Sequence, residues 1–308
     1  MVGATRIVCG VAGWTDPTLT APGVFYPEAA RTPEERLRYY ASRHPLVEVD
    51  SPFYAMPTGE TATLWAERTP EHFTFDVKAF SLLTGHAGVV ARMPEWLRNE
   101  LTRTQTRRSA RVYDRDLPQE LMAEVWKRFL GALEPLSSTG KLGAVLLQFP
   151  RWFRPTREAA DSLIAARRQL GETLGAVEFR NPDWVEGRIT ERTFALLAEH
   201  GLCYVNVDAP PGTRSSMPPI VRVTSPELVV FRLHGRRSKT WEARNDPVSE
   251  RYRYLYDRDQ LAFWAEHVRR VVEEHQPKRV HVVWNNCHAN YGTTNAAEFE
   301  QMLLSVLG

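Results

Sequence analysis

Cysteine is scarce in this chain: three residues in 308, Cys9, Cys203 and Cys287, with no Cys-x-x-Cys spacing. A disulfide framework is therefore not expected, and Cys9 and Cys203 fall inside apolar runs where a thiol behaves as a small hydrophobe. No Gly-x-Ser-x-Gly elbow is present, and Cys287 beside His288 lacks a third orienting group, so nothing supports nucleophilic catalysis. No apolar run approaches a membrane span, and the N-terminus lacks a basic segment followed by an apolar stretch. A cytoplasmic protein without a membrane partner is expected. Net charge is small as well, +2 at pH 7, too little to make the whole surface a nucleic-acid magnet.

What the chain does have is length and apolar content, with 43% hydrophobic residues, enough for a sizeable core within one domain spanning 1–308. Apolar runs bounded by turn residues predict strands near 7–12, 46–50, 73–79, 144–149, 176–180, 203–208, 229–234 and 279–286. Between them, capping boxes at Thr32 with Glu35, Asp257 with Gln260 and Asn295 with Glu298 predict helices near 33–43, 258–275 and 295–306. Weaker patterns place others near 60–68, 118–134, 156–170 and 190–200. Eight alternating units predict a parallel α/β sheet closed into a (β/α)8 TIM-like barrel. An open doubly wound sheet is the alternative, but no Gly-rich phosphate loop follows GVAGW at 10–14. Prolines 210, 211, 218, 219 and 226 predict irregular chain rather than a helix between strands six and seven.

Five of these strands carry polar residues two positions apart near their C-terminal ends: Glu48 and Asp50, Asp76 and Lys78, Glu178 and Arg180, Asn206 and Asp208, Arg232 and His234. Side chains alternate along a strand, so each pair shares one face while valines and phenylalanines, among them Val205 and Val207, line the other. With helices packed on the apolar face, the polar face points into the barrel, where charges must pair, bind metal or meet a ligand. Barrel enzymes gather their working residues at this end. Glu48, Glu178, His234 and Lys78 are the catalytic candidates; a Glu serves as general base, and His234 shuttles a proton. Asp50, Gln148, Arg180, Asp208, Arg232 and Asn286 are candidate ligand contacts, with Tyr54, Trp184 and Trp284 as walls. Lys78, Arg180 and Arg232 suit a phosphate or carboxylate.

Two loops add a basic rim. After the third strand come Arg107 and Arg108 among seven arginines between 92 and 115, and after the seventh come Arg236 and Arg237 with Trp241, Tyr252, Tyr254 and Tyr256. Rings stack bases while arginines neutralise phosphates. The leading expectation is an enzyme for a phosphorylated ligand, a nucleic-acid backbone or a sugar phosphate. One alternative is a non-catalytic nucleic-acid-binding module built on the Arg-rich loops. Another is a metal-dependent sugar isomerase or aldolase-like enzyme with Glu48, Glu178, Asp208 and His234 as ligands. No cofactor is required on the leading reading, and a divalent metal belongs only to this last one.

The motifs GVAGW, VEVDSPFY, WAERTPEHFTFDVKAF, LLQFP, VEFRNPDW, FRLHGR, RYRYLYDRDQL and NNCHANYGTTNAAEF, in that order over almost the whole chain, resemble the YecE-like family, also called domain of unknown function family 72. The resemblance implies a TIM-like barrel and no established reaction. The chain departs from the family pattern at Val11 and Ala12, at Asp50 and at Asn181, so roles resting on hydroxyls or a histidine there do not carry over.

Overall fold

The computed structural model describes residues 5–101, 110–242 and 248–307. Ten strands are present among them: β1 (Arg6–Ala12), β2 (Leu46–Val49), β3 (Thr74–Lys78), β4 (Gly88–Val89), β5 (Arg111–Val112), β6 (Leu142–Gln148), β7 (Gly175–Glu178), β8 (Cys203–Asp208), β9 (Val229–Leu233) and β10 (Arg279–Trp284). All but β4 and β5 form a closed barrel in the order β1-β10-β9-β8-β7-β6-β3-β2, with every pair parallel. The fold is a (β/α)8 TIM-like barrel. β4 and β5 make a small antiparallel pair within the excursion after β3, which strand periodicity did not announce because each is two residues long.

Helices fill the crossovers where their caps indicate. Thr32 and Glu35 form a complete capping box at Pro33–Ala41, and Asp257 with Gln260 does the same at Arg258–His275. Each closes backbone donors that a helix start leaves open. The last helix, Tyr291–Leu307, begins earlier than its supposed cap. Asn295 instead lies buried inside it, where its carbonyl oxygen accepts from Tyr256 N at 3.0 Å and Asn286 Nδ2 at 2.8 Å. Residues 209–228 contain no helix. That gap has a consequence for β8. The outer face of a barrel strand normally meets a helix and is apolar, but here the proline-rich segment lies alongside and offers polar backbone. Asn206 Oδ1 accepts from Arg222 N at 2.7 Å, and Thr224 Oγ1 accepts from Tyr204 N at 2.8 Å.

Inside the barrel the layers are mixed. Val8, Ala12, Leu46 and Val283 make a small apolar cluster. Beside it Asp76 meets Nδ1 of His281 at 2.9 Å, both buried. Gly143 opposite has no alternative: a Cβ there would lie 2.5 Å from Asp76 Oδ1 and 2.8 Å from His281 Cε1. The register shift between Phe75 and Asp76 delivers that glycine to the contact.

Candidate functional site

Arg232, on β9, crosses the barrel and is 1% exposed. Its Nε donates to Glu48 Oε2 at 2.6 Å, its Nη2 donates to Glu48 Oε1, and its Nη1 donates to Glu178 Oε2 at 2.6 Å. A planar fork is the one cationic group that can grip β2 and β7 together in this way. Glu178, fully buried, also receives Gln148 Nε2 at 2.9 Å and His234 Nε2 at 3.2 Å on Oε1, and Arg180 Nε lies 2.6 Å away. Burial pushes its carboxyl up, but Arg180, Arg232 and His234 outweigh burial and hold it well below the usual range. Glu48 differs. Burial lifts it to about 7 against the pull of Arg232, with Asp50 adding to the rise. Arg232 itself, flanked by both carboxylates, stays charged, held above its ordinary value despite burial.

His234 has three polar neighbours, Asn285, Glu178 and Arg180, whose Nη2 lies 3.4 Å from Nε2. Nδ1 lies 2.7 Å from Asn285 Nδ2, whose amide donates to it, so the ring proton sits on Nε2 and points at Glu178. Burial, then Arg180, lowers its pKa to about 3, and the ring is neutral. A neutral ring whose only proton is committed to Glu178 orients that carboxylate and is not a shuttle to solvent.

Above this buried layer the mouth opens. Lys78 Nζ lies 3.4 Å from Asp50 Oδ1 and 4.6 Å from the Phe53 ring centroid. Arg180 lies over Trp241 at 5.1 Å. Both cations are largely but not fully covered, with side chains 12% and 15% exposed, whereas Asp50 is 33% exposed. His86 completes the group. Its Nδ1 meets Thr84 Oγ1 at 3.0 Å, and its ring lies edge-on between Phe53 and Trp152. Burial, then Lys78, then Arg180 lower it to about 3. Aromatic rings surround this group: Phe53 and Trp152 meet His86, and Trp241, under Arg180, meets Tyr252.

The structure brings Glu48, Asp50, Lys78, Gln148, Glu178, Arg180, Arg232 and His234 to one end of the barrel interior. It turns others away. Register pairs Val205 with Val230 and Val207 with Arg232, so those valines share Arg232's inner face and Asp208 points outward. Asp208 there accepts from Tyr256 OH at 2.6 Å and Arg236 Nε at 2.9 Å. Trp284 and Asn286 are likewise outward, because His281, Val283 and Asn285 are the inward set of β10 and its extension. Trp284 packs on Tyr256 and Phe299, and Asn286 Nδ2 donates to Tyr254 O at 2.8 Å. Trp184 is buried behind β7, stacked on Phe179, with Nε1 donating to Phe153 O. These four residues line no part of the mouth.

Tyr54 stands half exposed at the rim, 5.8 Å from the Arg92 guanidinium. Tyr252 lies 6.2 Å from His234. Arg237 is paired with Glu250 at 3.2 Å, and Arg236 with Asp208, so much of the rim charge after β9 is already answered. Arg107 and Arg108 lie outside the described residues. As for the metal reading, Arg232 occupies the space between Glu48 and Glu178 and supplies the positive charge there, while Asp208 faces the other way. Among the described residues no three His, Cys, Asp or Glu side chains gather to hold an ion. Asn285, His86 and Trp241 are site residues that strand-end reasoning missed. The alternation His281, Val283, Asn285 was the available signal for the first; the other two lie on loops.

The sequence profile described as Protein of unknown function DUF72 matches residues 8–306. The UPF0759 protein YunF of Bacillus subtilis (strain 168) is 29% identical over 300 residues, covering 96% of this chain and 93% of that protein. Two solved structures share the fold. A DUF72 family protein of Enterococcus faecalis V583 is 28% identical with a TM-score of 0.72, covering 98% of this chain and 95% of the other. A DUF72 family protein of Thermotoga maritima MSB8 is 26% identical with a TM-score of 0.74, covering 97% and 99%.

Proposed function

The chain belongs to the DUF72 family of proteins of unknown function, and we propose that its barrel mouth is the site of an enzyme that binds a phosphorylated ligand, the phosphate lying between Lys78 and Arg180. Two partly exposed cations at the strand ends carry the reading: Lys78 beside the Phe53 ring, which in turn meets His86, and Arg180 over Trp241. Each cation has a carboxylate at its back, Asp50 for Lys78 and Glu178 for Arg180, which fixes its position. Phosphate oxygens on the open side of the pair add charge-assisted hydrogen bonds in a partly dehydrated site, where they are stronger than in water. The aromatic walls suit the organic part of such a ligand.

Roles within the site follow from access. Glu178 is saturated with donors and ionised, so it positions Arg180 and Arg232 rather than taking a proton. Glu48 is sealed behind Arg232. Asp50, a third exposed, is the group fitted to move a proton at a bound phosphate ester, with the neutral His86 ring lining the site. Calorimetric titration with inorganic phosphate and sugar phosphates at low salt tests the reading. Lys78→Ala is expected to weaken phosphate binding by roughly tenfold or more, as loss of one charge-assisted contact does. Equal affinity of wild type and Lys78→Ala would remove the mouth from consideration.

A further inference from the structure

A second basic cavity lies on the same rim, beside the mouth. It encloses about 490 Å³ and is lined by Arg151, Trp152, Arg154, Asn181, Asp183 and Arg214. Three guanidinium groups face it against one carboxylate. No ion pair engages any of the three among the described residues, and all three side chains belong to exposed residues. This is unlike Arg236, Arg237 and Arg253 after β9, whose charges are paired.

Two of the three loops that line the cavity are tied to each other. Asn181, 6% exposed, donates from Nδ2 to Arg151 O at 2.9 Å and accepts from Asp183 N at 2.9 Å, stitching the loop after β6 to the loop after β7. Trp184 Nε1 donates to Phe153 O at 2.8 Å, a second stitch between the same loops. Arg151 and Arg154, presented on loops held in this way, lose less freedom on binding an anion than arginines on loose chain.

Trp152 joins this cavity to the mouth. Its ring is 55% exposed and lies 5.8 Å from His86, whose ring lies 5.0 Å from Phe53, which lies 4.6 Å from Lys78 Nζ. The order along the rim is cations, aromatic rings, cations. That alternation suits a chain that presents phosphate, base and phosphate in turn, because rings stack bases and arginines neutralise the linking phosphates.

We propose that the three-arginine cavity is a second phosphate subsite and that the ligand spanning it and the mouth, across Trp152, is a single strand of nucleic acid. The proposal rests on the phosphate-binding reading of the mouth and extends it to a polymeric ligand. A sugar phosphate reaches only the first station; a strand reaches both.

The experiment compares a fluorescent oligothymidylate, read by anisotropy across a salt series, with thymidine monophosphate, read by calorimetry. The variants are R151A/R154A/R214A, W152A and W152F, all at exposed positions. The triple variant should lower the ratio of oligonucleotide to mononucleotide affinity and flatten the dependence of log affinity on log salt by about 0.7, the contribution of one phosphate contact to a single strand. W152A should weaken oligonucleotide binding by roughly tenfold, and W152F should restore most of it, because a base stacks on either ring. An unchanged affinity ratio and salt slope in the triple variant, or no oligonucleotide binding by the wild type at low salt, overturns the second subsite. Failure of the mouth reading looks different: mononucleotide affinity that does not respond to Lys78→Ala.

Discussion

Glu48 and Glu178 share one guanidinium, yet their replacement should have opposite consequences. Glu178 accepts hydrogen bonds from Arg232, Gln148 and His234 and touches Arg180 at 2.6 Å, and these neighbours hold it ionised in spite of complete burial. Glutamine at 178 keeps the shape but removes the charge, leaving Arg232 with only Glu48 and Arg180 with none. It also turns an amide N–H toward groups that donate. Breaking one side of a buried ion pair in this way costs about 3–5 kcal/mol, which for a chain of this length lowers Tm by roughly 5–8 °C. Glu48 sits near 7, so around neutral pH its neutral form is already accessible. Glutamine at 48 should therefore cost no more than about 1 kcal/mol, since removing that charge also removes the penalty of burying it. Calorimetric scans of wild type, Glu48→Gln and Glu178→Gln at pH 7 measure the asymmetry. Equal losses in the two variants, or a Glu178→Gln Tm within 2 °C of wild type, would refute the ionisation pattern assigned to this buried layer.

Three histidines should be silent over the range where histidine ordinarily titrates. Burial lowers His44 to about 4 and His86 and His234 to about 3, so their ring NMR signals should stay those of neutral imidazole at pH 5; a midpoint near 6.5 for any of them contradicts the packing described. Depressed histidines withdraw stability as pH falls below their unfolded value of about 6.5, at up to about 1.4 kcal/mol per pH unit each. Glu48 and Glu300, both raised to about 7, act in the other direction, giving stability at low pH that is lost as pH rises toward 7. Three losses against two gains leave a net fall of about 1.4 kcal/mol per unit between pH 6 and 5, measurable by urea titration. Gly143→Ala should destabilise by about 1–3 kcal/mol, because its methyl meets Asp76, Thr74 and His281 all within 3 Å; an unchanged urea midpoint would show that the Asp76–His281 layer yields easily.

The barrel was legible because the alternation of eight apolar runs with capped helices admits few other architectures. The inward side of each strand was legible only where helices cover the outside. In β2, β3, β7 and β9 the apolar set packs outward and the polar pair turns in, so Glu48, Asp76, Glu178 and Arg232 were readable. In β8 the same pattern of alternating polar residues is reversed, because the proline-rich segment that replaces a helix bonds to Asn206 and Asp208 lies against Arg236 and Tyr256. Period-two patterning separates two faces and says nothing about which one faces the axis. For β10 the continuous run VHVVW hides the parity, and an error of one residue exchanged Asn285 for Trp284 and Asn286. His86 and Trp241 come from loops, whose direction no periodicity encodes.

The proposed phosphate position is tested most directly by a crystal structure of the protein soaked with phosphate, or with tungstate as a heavier tetrahedral analogue. The account predicts anion density within hydrogen-bond reach of Lys78 Nζ and the Arg180 guanidinium, roughly 2.7–3.2 Å from each, beside the His86 ring. A well-occupied anion elsewhere on the barrel, with the mouth holding only water, would contradict it.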